Sequence, residues 1–339
     1  MVLATEKQFI RETPSPPWIK ALADSVLAEA ATYSEAATAS VIAAQILKTC
    51  PGFTQDQVAE LLSLSAQRPG YVGRVANPRF GEPSFIVSEL KGWVFEVILW
   101  RDLVTAIHEH SVTGAFKVVQ GLRLHFTFEY LGVSVLEDVP LTSRGKLSPK
   151  HVEILEAGDV REVLPGDDFI HALWPLDKPC MTIVLAKKGA GISRSYAAPA
   201  FRFEEELAQG ELDSRMPYLR ALEKFDQVRL RNEAIPFVLG EISLAATILL
   251  LVTFEIDPID EACWKIVSRV LSERWSQSVI DDIRETCGLD LLFMRALRLR
   301  LGAENQIHRF DLAVAFYAGL LPPHLLRHMY SLRKKLQLT

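Results

Sequence analysis

Two histidines one residue apart, His108 and His110 in Thr105-Ala-Ile-His108-Glu-His110, are the residues of this chain best spaced to do chemistry. On a β-strand, side chains two apart point to the same side, so both imidazoles can face one point while Glu109 turns away. A third imidazole, His171 in Leu164-Pro165-Gly166-Asp-Asp-Phe-Ile-His171, would close a facial three-nitrogen site. Neutral imidazoles suit divalent iron, copper, nickel and zinc and leave the ion's positive charge uncompensated. Such a site attracts an anionic or chelating substrate and keeps positions open for dioxygen or water. Ligating imidazoles are unprotonated, so metal release is expected below about pH 6. The competing readings are ordinary strand histidines for the pair and a plain turn histidine for His171.

The remaining candidates are weaker. His125 falls on the polar face of an alternating strand and is expected to face solvent rather than to act as a fourth ligand. His151, after Pro149-Lys150, reads as a surface residue. His324 and His328 share a helix face but have no third ligand, and Arg327, Arg333, Lys334 and Lys335 make that end a basic, solvated helix terminus. Lys188-Gly189-Ala-Gly191 matches neither a dinucleotide fingerprint nor a phosphate loop. Cys180 reads as a small buried residue. Trp100, Phe116, Tyr130 and Trp174 are candidate walls of the substrate pocket, although aromatic strand residues usually serve the core. Arg79, or Arg74 beside it, could reach the pocket from a loop.

Positioning the three imidazoles requires strands, and residues 70–203 supply them. Pro83–Ser88, Trp93–Trp100, Gly114–Val119 and Leu122–Tyr130 are β-branched and aromatic runs cut by Gly and Pro. The last alternates Leu122, Leu124, Phe126, Phe128 and Tyr130 with Arg123, His125, Thr127 and Glu129, which predicts one covered and one wet face. His151–Leu155 and Met181–Lys187 fit two more strands, giving an antiparallel sandwich or barrel. Before it, residues 1–69 hold a Pro-rich leader and about three helices, the last opened by a Thr54–Gln57 capping box. After it, residues 204–339 read as a larger helical domain whose role as lid, dimer interface or docking surface the sequence leaves open.

The chain has 339 residues, 49% of them hydrophobic and 23% charged, so it can bury a large core, and disorder is excluded as its main theme. A net charge of −5 gives no field to hold a polyanion, and no nucleic-acid partner is expected. Ile242–Phe254 is short of the roughly 20 apolar residues a bilayer requires and reads as a buried helix, so no membrane partner is expected. The four cysteines have no CxxC pairing, and Glu6, Lys7, Arg11 and Glu12 interrupt the N-terminus, which argues against a signal peptide. A cytoplasmic location is the expectation.

Trp93-Val-Phe-Glu-Val-Ile-Leu-Trp100, Ile107-His108-Glu109-His110 and Phe116-Lys-Val-Val-Gln-Gly121 together resemble the first metal motif of the cupin superfamily, in its three-histidine cysteine dioxygenase-like branch. Pro165-Gly166 with His171 five residues on is similar to the second cupin motif. The resemblance covers roughly residues 80–190. It implies an α+β chain with a cupin double-stranded β-helix, or jelly-roll barrel, flanked by helices. Departures accompany the matches. Ser111-Val-Thr-Gly-Ala-Phe stands where many cupins place a glutamate ligand. Met181-Thr-Ile-Val-Leu-Ala-Lys lacks that branch's Ser-x-His-x-Tyr triad, and Ser84-Phe-Ile-Val-Ser88 lacks its substrate arginine, which makes cysteine a poor substrate. The resemblance implies a mononuclear non-haem Fe(II) oxygenase acting with O2 on a small chelating substrate. The alternatives are a non-redox cupin holding zinc, nickel or manganese, and an interaction protein whose C-terminal helices recognise a partner or form a homodimer.

Overall fold

The computed structural model describes residues 15–33, 38–67, 84–100, 106–138, 141–189, 192–301, 305–317 and 320–336. Eleven strands are described: β1 Ser84–Leu90, β2 Trp93–Trp100, β3 Ile107–Glu109, β4 Thr113–Gln120, β5 Arg123–Asp138, β6 Leu141–Leu155, β7 Val160–Val163, β8 Ile170–Pro175, β9 Cys180–Lys187, β10 Arg194–Ala197 and β11 Phe201–Phe203. One sheet has the order β1-β2-β9-β4-β7; the other closes as β10-β11-β6-β5-β8-β3. From β2 to β9 the chain switches sheets at every step except the β5–β6 hairpin, and all the strand pairings are antiparallel. This is the winding of a jelly roll, a cupin-type double-stranded β-helix.

Helices cover both outer faces. α1 Pro17–Ala30, α2 Ala39–Thr49 and α3 Gln55–Gln67 lie before the strands. Ile19, Leu27, Ile42 and Leu47 join Phe95, Val97, Ile183 and Leu185 in one buried cluster, so these helices shield the first sheet. α2 is held at both ends: Ser40 donates to Glu162 of β7, and the buried Lys117 ammonium of β4 donates to the Cys50 carbonyl. A cation at the C-terminus of a helix also meets the negative end of its dipole. The expected capping box opens α3, with Gln57 Oε1 accepting from the Thr54 amide at 2.9 Å and Thr54 Oγ1 accepting from the Gln57 amide at 3.3 Å.

The C-terminal region begins with α4 Glu205–Asp213 and α5 Met216–Phe225, and α6 Gln227–Arg229 runs through a π turn at Leu230–Ala234 into α7 Ile235–Leu239. α8 Leu244–Thr253, α9 Glu261–Leu271 and α10 Gln277–Leu301 follow. The apolar run beginning at Ile242 is a buried helix as expected, and no helix among the described residues is long and apolar enough to cross a membrane. Phe201 and Phe203 of β11 are buried in the same cluster as α7, α8 and α9. The last two helices, α11 Gln306–Tyr317 and α12 Pro323–Leu336, lie on the outer face of the second sheet, where Phe310, Tyr317, Leu325 and Met329 cluster with Phe126, Phe128 and Trp174.

That packing corrects the expected orientation of β5. Its apolar face, Leu124, Phe126 and Phe128, points outward under α11, and the supposedly wet residues Arg123 and His125 point into the space between the sheets, 0% and 1% exposed. An alternating strand shows which residues share a face; which face is covered depends on what else packs there. Tyr317 is the hinge of this arrangement, 1% exposed with its ring centroid 4.0 Å from that of Phe126. Replacing Tyr317 by alanine should cost about 3 kcal/mol or more, the usual effect of deleting a buried aromatic ring. Urea unfolding checks this, and a loss below about 1 kcal/mol would show that α11 and the sheet do not unfold as one unit.

Candidate metal centre

β3 is only three residues long, and it is held from three sides. It pairs with β8 through His108 and His171, pairs with β10 through Ser195 and Tyr196, and continues into a parallel bridge between His110 and Pro165. The Gly166 amide donates to the His110 carbonyl at 2.8 Å. Gly166 has φ +64°, a left-handed conformation that glycine adopts without steric penalty. The Pro165-Gly166 turn thus attaches the segment leading to His171 directly to the strand carrying His110.

The three imidazoles converge. Their ring centroids are 4.6, 4.6 and 5.0 Å apart, and one nitrogen from each falls within 4.8 Å of the others. His108 and His171 are buried, and His110 is half-buried. His108 Nδ1 donates to the Ala106 carbonyl at 2.9 Å. Nε2 of His110 and Nε2 of His171 are 2.9 Å apart. Two nitrogens bound at about 2.0–2.1 Å to one ion, at right angles, are separated by about this distance. The donor set therefore fits a divalent transition-metal ion. Among the described residues no carboxylate joins the cluster. Glu109 is fully buried but faces the other way, where it accepts from Arg194 at 2.6 Å and from the Tyr196 hydroxyl at 2.5 Å.

Around the cluster lie residues that the sequence reading placed elsewhere or passed over. His125 does not face solvent. Its Nε2 is 3.2 Å from Nδ1 of His171, and its Nδ1 is 3.0 Å from Glu153. Glu153 is in turn gripped by Arg161, whose Nε is 2.9 Å from its Oε1. Phe169, half-buried, packs on three imidazoles, with centroids 4.5 Å from His171, 5.8 Å from His125 and 6.3 Å from His110. The position of Phe169 two residues before His171 was the available signal for it, but it sits in a short 3-10 turn, Gly166–Phe169, where strand alternation says nothing.

Of the candidate pocket aromatics, Phe116 lies beside the site, with ring centroids 5.8 Å from His125 and 6.2 Å from His171. Trp100 also points between the sheets, but it donates to Thr182 Oγ1 at 2.9 Å and lies under the Arg123 guanidinium rather than against the imidazoles. Trp174 and Tyr130 are corrected outright. Both belong to the outer cluster beneath the C-terminal helices, and the Tyr130 hydroxyl donates to the Ser143 and Ala200 carbonyls. Arg74 and Arg79 lie outside the described residues. His151 is exposed, as expected, and His328 bonds the Val152 carbonyl at 3.1 Å.

No protein-family model matches the chain, and no curated protein matches it in sequence. Solved structures align with part of it. An uncharacterised double-stranded β-helix protein from Klebsiella pneumoniae is 16% identical over 38% of this chain and 86% of its own, with a TM-score of 0.25. DMSP lyase DddQ from Ruegeria pomeroyi is 15% identical over 44% of this chain and 74% of its own, with a TM-score of 0.27. Hydroquinone 1,2-dioxygenase from Sphingomonas sp., with 4-hydroxybenzoate bound, is 13% identical over 35% of this chain and 73% of its own, with a TM-score of 0.24. Likenesses this loose carry nothing about activity, and the cupin-type assignment rests on the strand order.

Burial lowers the pKa of His108 to about 4 and holds His110 and His171 well below the ordinary 6.5 for histidine. Burial also lowers His125, against the pull of Glu153. Burial thus favours the neutral, ligating form of these imidazoles below the ordinary histidine range. In the unfolded chain these imidazoles protonate near pH 6.5, so below that pH the unfolded state binds more protons. Their contribution is full above pH 6.5 and is lost as the pH falls toward the lowered folded values. Glu109 and Glu137, raised by burial, work in the opposite sense, two carboxyls against four imidazoles. Chelator-treated protein should therefore show a lower urea midpoint at pH 5 than at pH 7.5; an unchanged or higher midpoint would contradict the neutral, buried assignment.

Proposed function

We propose that the chain is a mononuclear non-haem iron(II) oxygenase acting on a small, anionic, metal-chelating substrate. The observation that carries this reading is the convergence of His108, His110 and His171 with no carboxylate among them. When bound, iron(II) would supply Lewis acidity toward a chelating group and electrons for dioxygen.

The chain's own residues prepare that chemistry. His108 is oriented by its bond to the Ala106 carbonyl, and His171 by its bond to His125. All three donors are neutral, so the positive charge of a divalent ion would be met by the substrate rather than by the protein. Phe116 and Phe169 make the adjoining walls apolar, which limits water near the imidazoles. His110 and Phe169 are half-buried while His108 and His171 are buried, so the site is reached from the His110 side.

Protein loaded anaerobically with iron(II) should hold about one iron per chain, and His171→Ala should lose it. A screen of small thiols, amines and amino acids, run with and without air and followed by oxygen consumption and product analysis, tests the reaction class. Substrate-dependent oxygen uptake that disappears in His171→Ala is the expected result. Stoichiometric zinc, nickel or manganese with turnover in the absence of air would replace the reading with a non-redox metal enzyme. Protein that takes up no metal, and whose stability a chelator leaves unchanged, would replace it with an interaction protein.

A further inference from the structure

We infer that His125 and Glu153 form a positioning relay that fixes the nitrogen His171 presents to the three-imidazole centre. The inference rests on the metal-centre reading and assigns His125 a role beside it rather than a place as fourth ligand.

The direction of each hydrogen bond follows from the ends of the chain. Glu153 is a carboxylate and only accepts; although burial favours its neutral form, hydrogen bonds from Arg161 and His125 outweigh this and hold its pKa at about 2. Nδ1 of His125, 3.0 Å away, must therefore carry the proton. His125 is 1% exposed, and its two ring nitrogens face one neighbour each, so with Nδ1 donating to Glu153 its Nε2 is the acceptor left for His171. That nitrogen lies 3.2 Å from Nδ1 of His171, which must then donate. With its proton on Nδ1, His171 presents a lone pair at Nε2, the atom 2.9 Å from Nε2 of His110. Both nitrogens of His125 are occupied in this way, which leaves none for a metal. A ligand imidazole whose outer N–H is bound to an acceptor is both oriented and more basic. Here the acceptor is a second imidazole backed by a carboxylate, so part of the Glu153 charge reaches the centre through two rings.

The test uses the full chain with cobalt(II) as the metal probe, and histidine-selective 15N long-range correlation spectra of metal-free protein as a readout that needs no metal. In wild-type protein His171 should show the Nδ1–H tautomer. His125→Leu should shift His171 toward Nε2–H, raise the cobalt dissociation constant about 10- to 100-fold and alter the cobalt d–d spectrum. Glu153→Gln keeps an acceptor but removes the charge, and should weaken cobalt by a smaller factor while keeping the tautomer. His125→Gln restores an acceptor near the Nε2 position and should bring affinity back toward wild type, a rescue that general loosening of the barrel would not give. The inference is overturned if wild-type His171 carries its proton on Nε2, or if folded His125→Leu binds cobalt within about threefold of wild type. Should His125→Leu fail to fold, Glu153→Gln decides, since Glu153 is 22% exposed and unchanged affinity there removes any role for its charge. Wild-type protein with the Nδ1–H tautomer and no cobalt affinity would sink the metal reading and leave the relay in place.

Discussion

Three imidazoles are held against one another inside a closed sheet, one nitrogen of each within 4.8 Å of the others. Nδ1 of His108 donates to the Ala106 carbonyl, and Nδ1 of His171 lies 3.2 Å from Nε2 of His125. Nε2 of His110 lies 2.9 Å from that of His171. Such an arrangement is uncomfortable without a cation or a shared proton at its centre, and the sheet holds it nonetheless. The rigidity comes from β3, which is too short to stand alone and is fixed by β8, by β10 and by the Pro165-Gly166 turn.

The same strands separate two kinds of environment. Inside, Phe116 and Phe169 adjoin imidazoles and Arg123 is wholly buried; outside, Phe126 and Trp174 share a cluster with α11 and α12. The carboxylate nearest in sequence to the imidazole pair, Glu109, is engaged with Arg194 and Tyr196 on the side away from the cluster. The region around the three nitrogens is therefore electropositive in potential whenever a cation is present, with no carboxylate in the cluster among the described residues.

Much of this was legible in the sequence because it is written in local spacing. His108 and His110 two apart, the Pro-Gly turn before His171, the alternation of β5 and the Thr54–Gln57 box are all local patterns, and they lie on the strand, turn, strand and helix start expected of them. What could not be read was relative placement. His125 and Phe126 are equivalent in an alternating pattern until something decides which face is outward, and here α11, some 190 residues later, decides it. Tyr130 and Trp174 were misplaced for the same reason. Glu153 and Arg161 bear on the site only through His125, so no reading that sent His125 to solvent could have found them.

The period-two division along β5 and β8 also dictates which sequence changes this protein can tolerate. Arg123 to Phe128 of β5 pairs residue for residue with β8, and along it imidazole and guanidinium alternate with phenyl and isobutyl groups. Conservative substitution at one position leaves its neighbours where they were. Deleting or inserting a single residue exchanges the two sides at a stroke, sending Phe126 among the imidazoles and His125 beneath Tyr317. Length variation among natural descendants of this chain should accordingly collect in the connections between strands, and these short stretches should be inherited with their residue count intact.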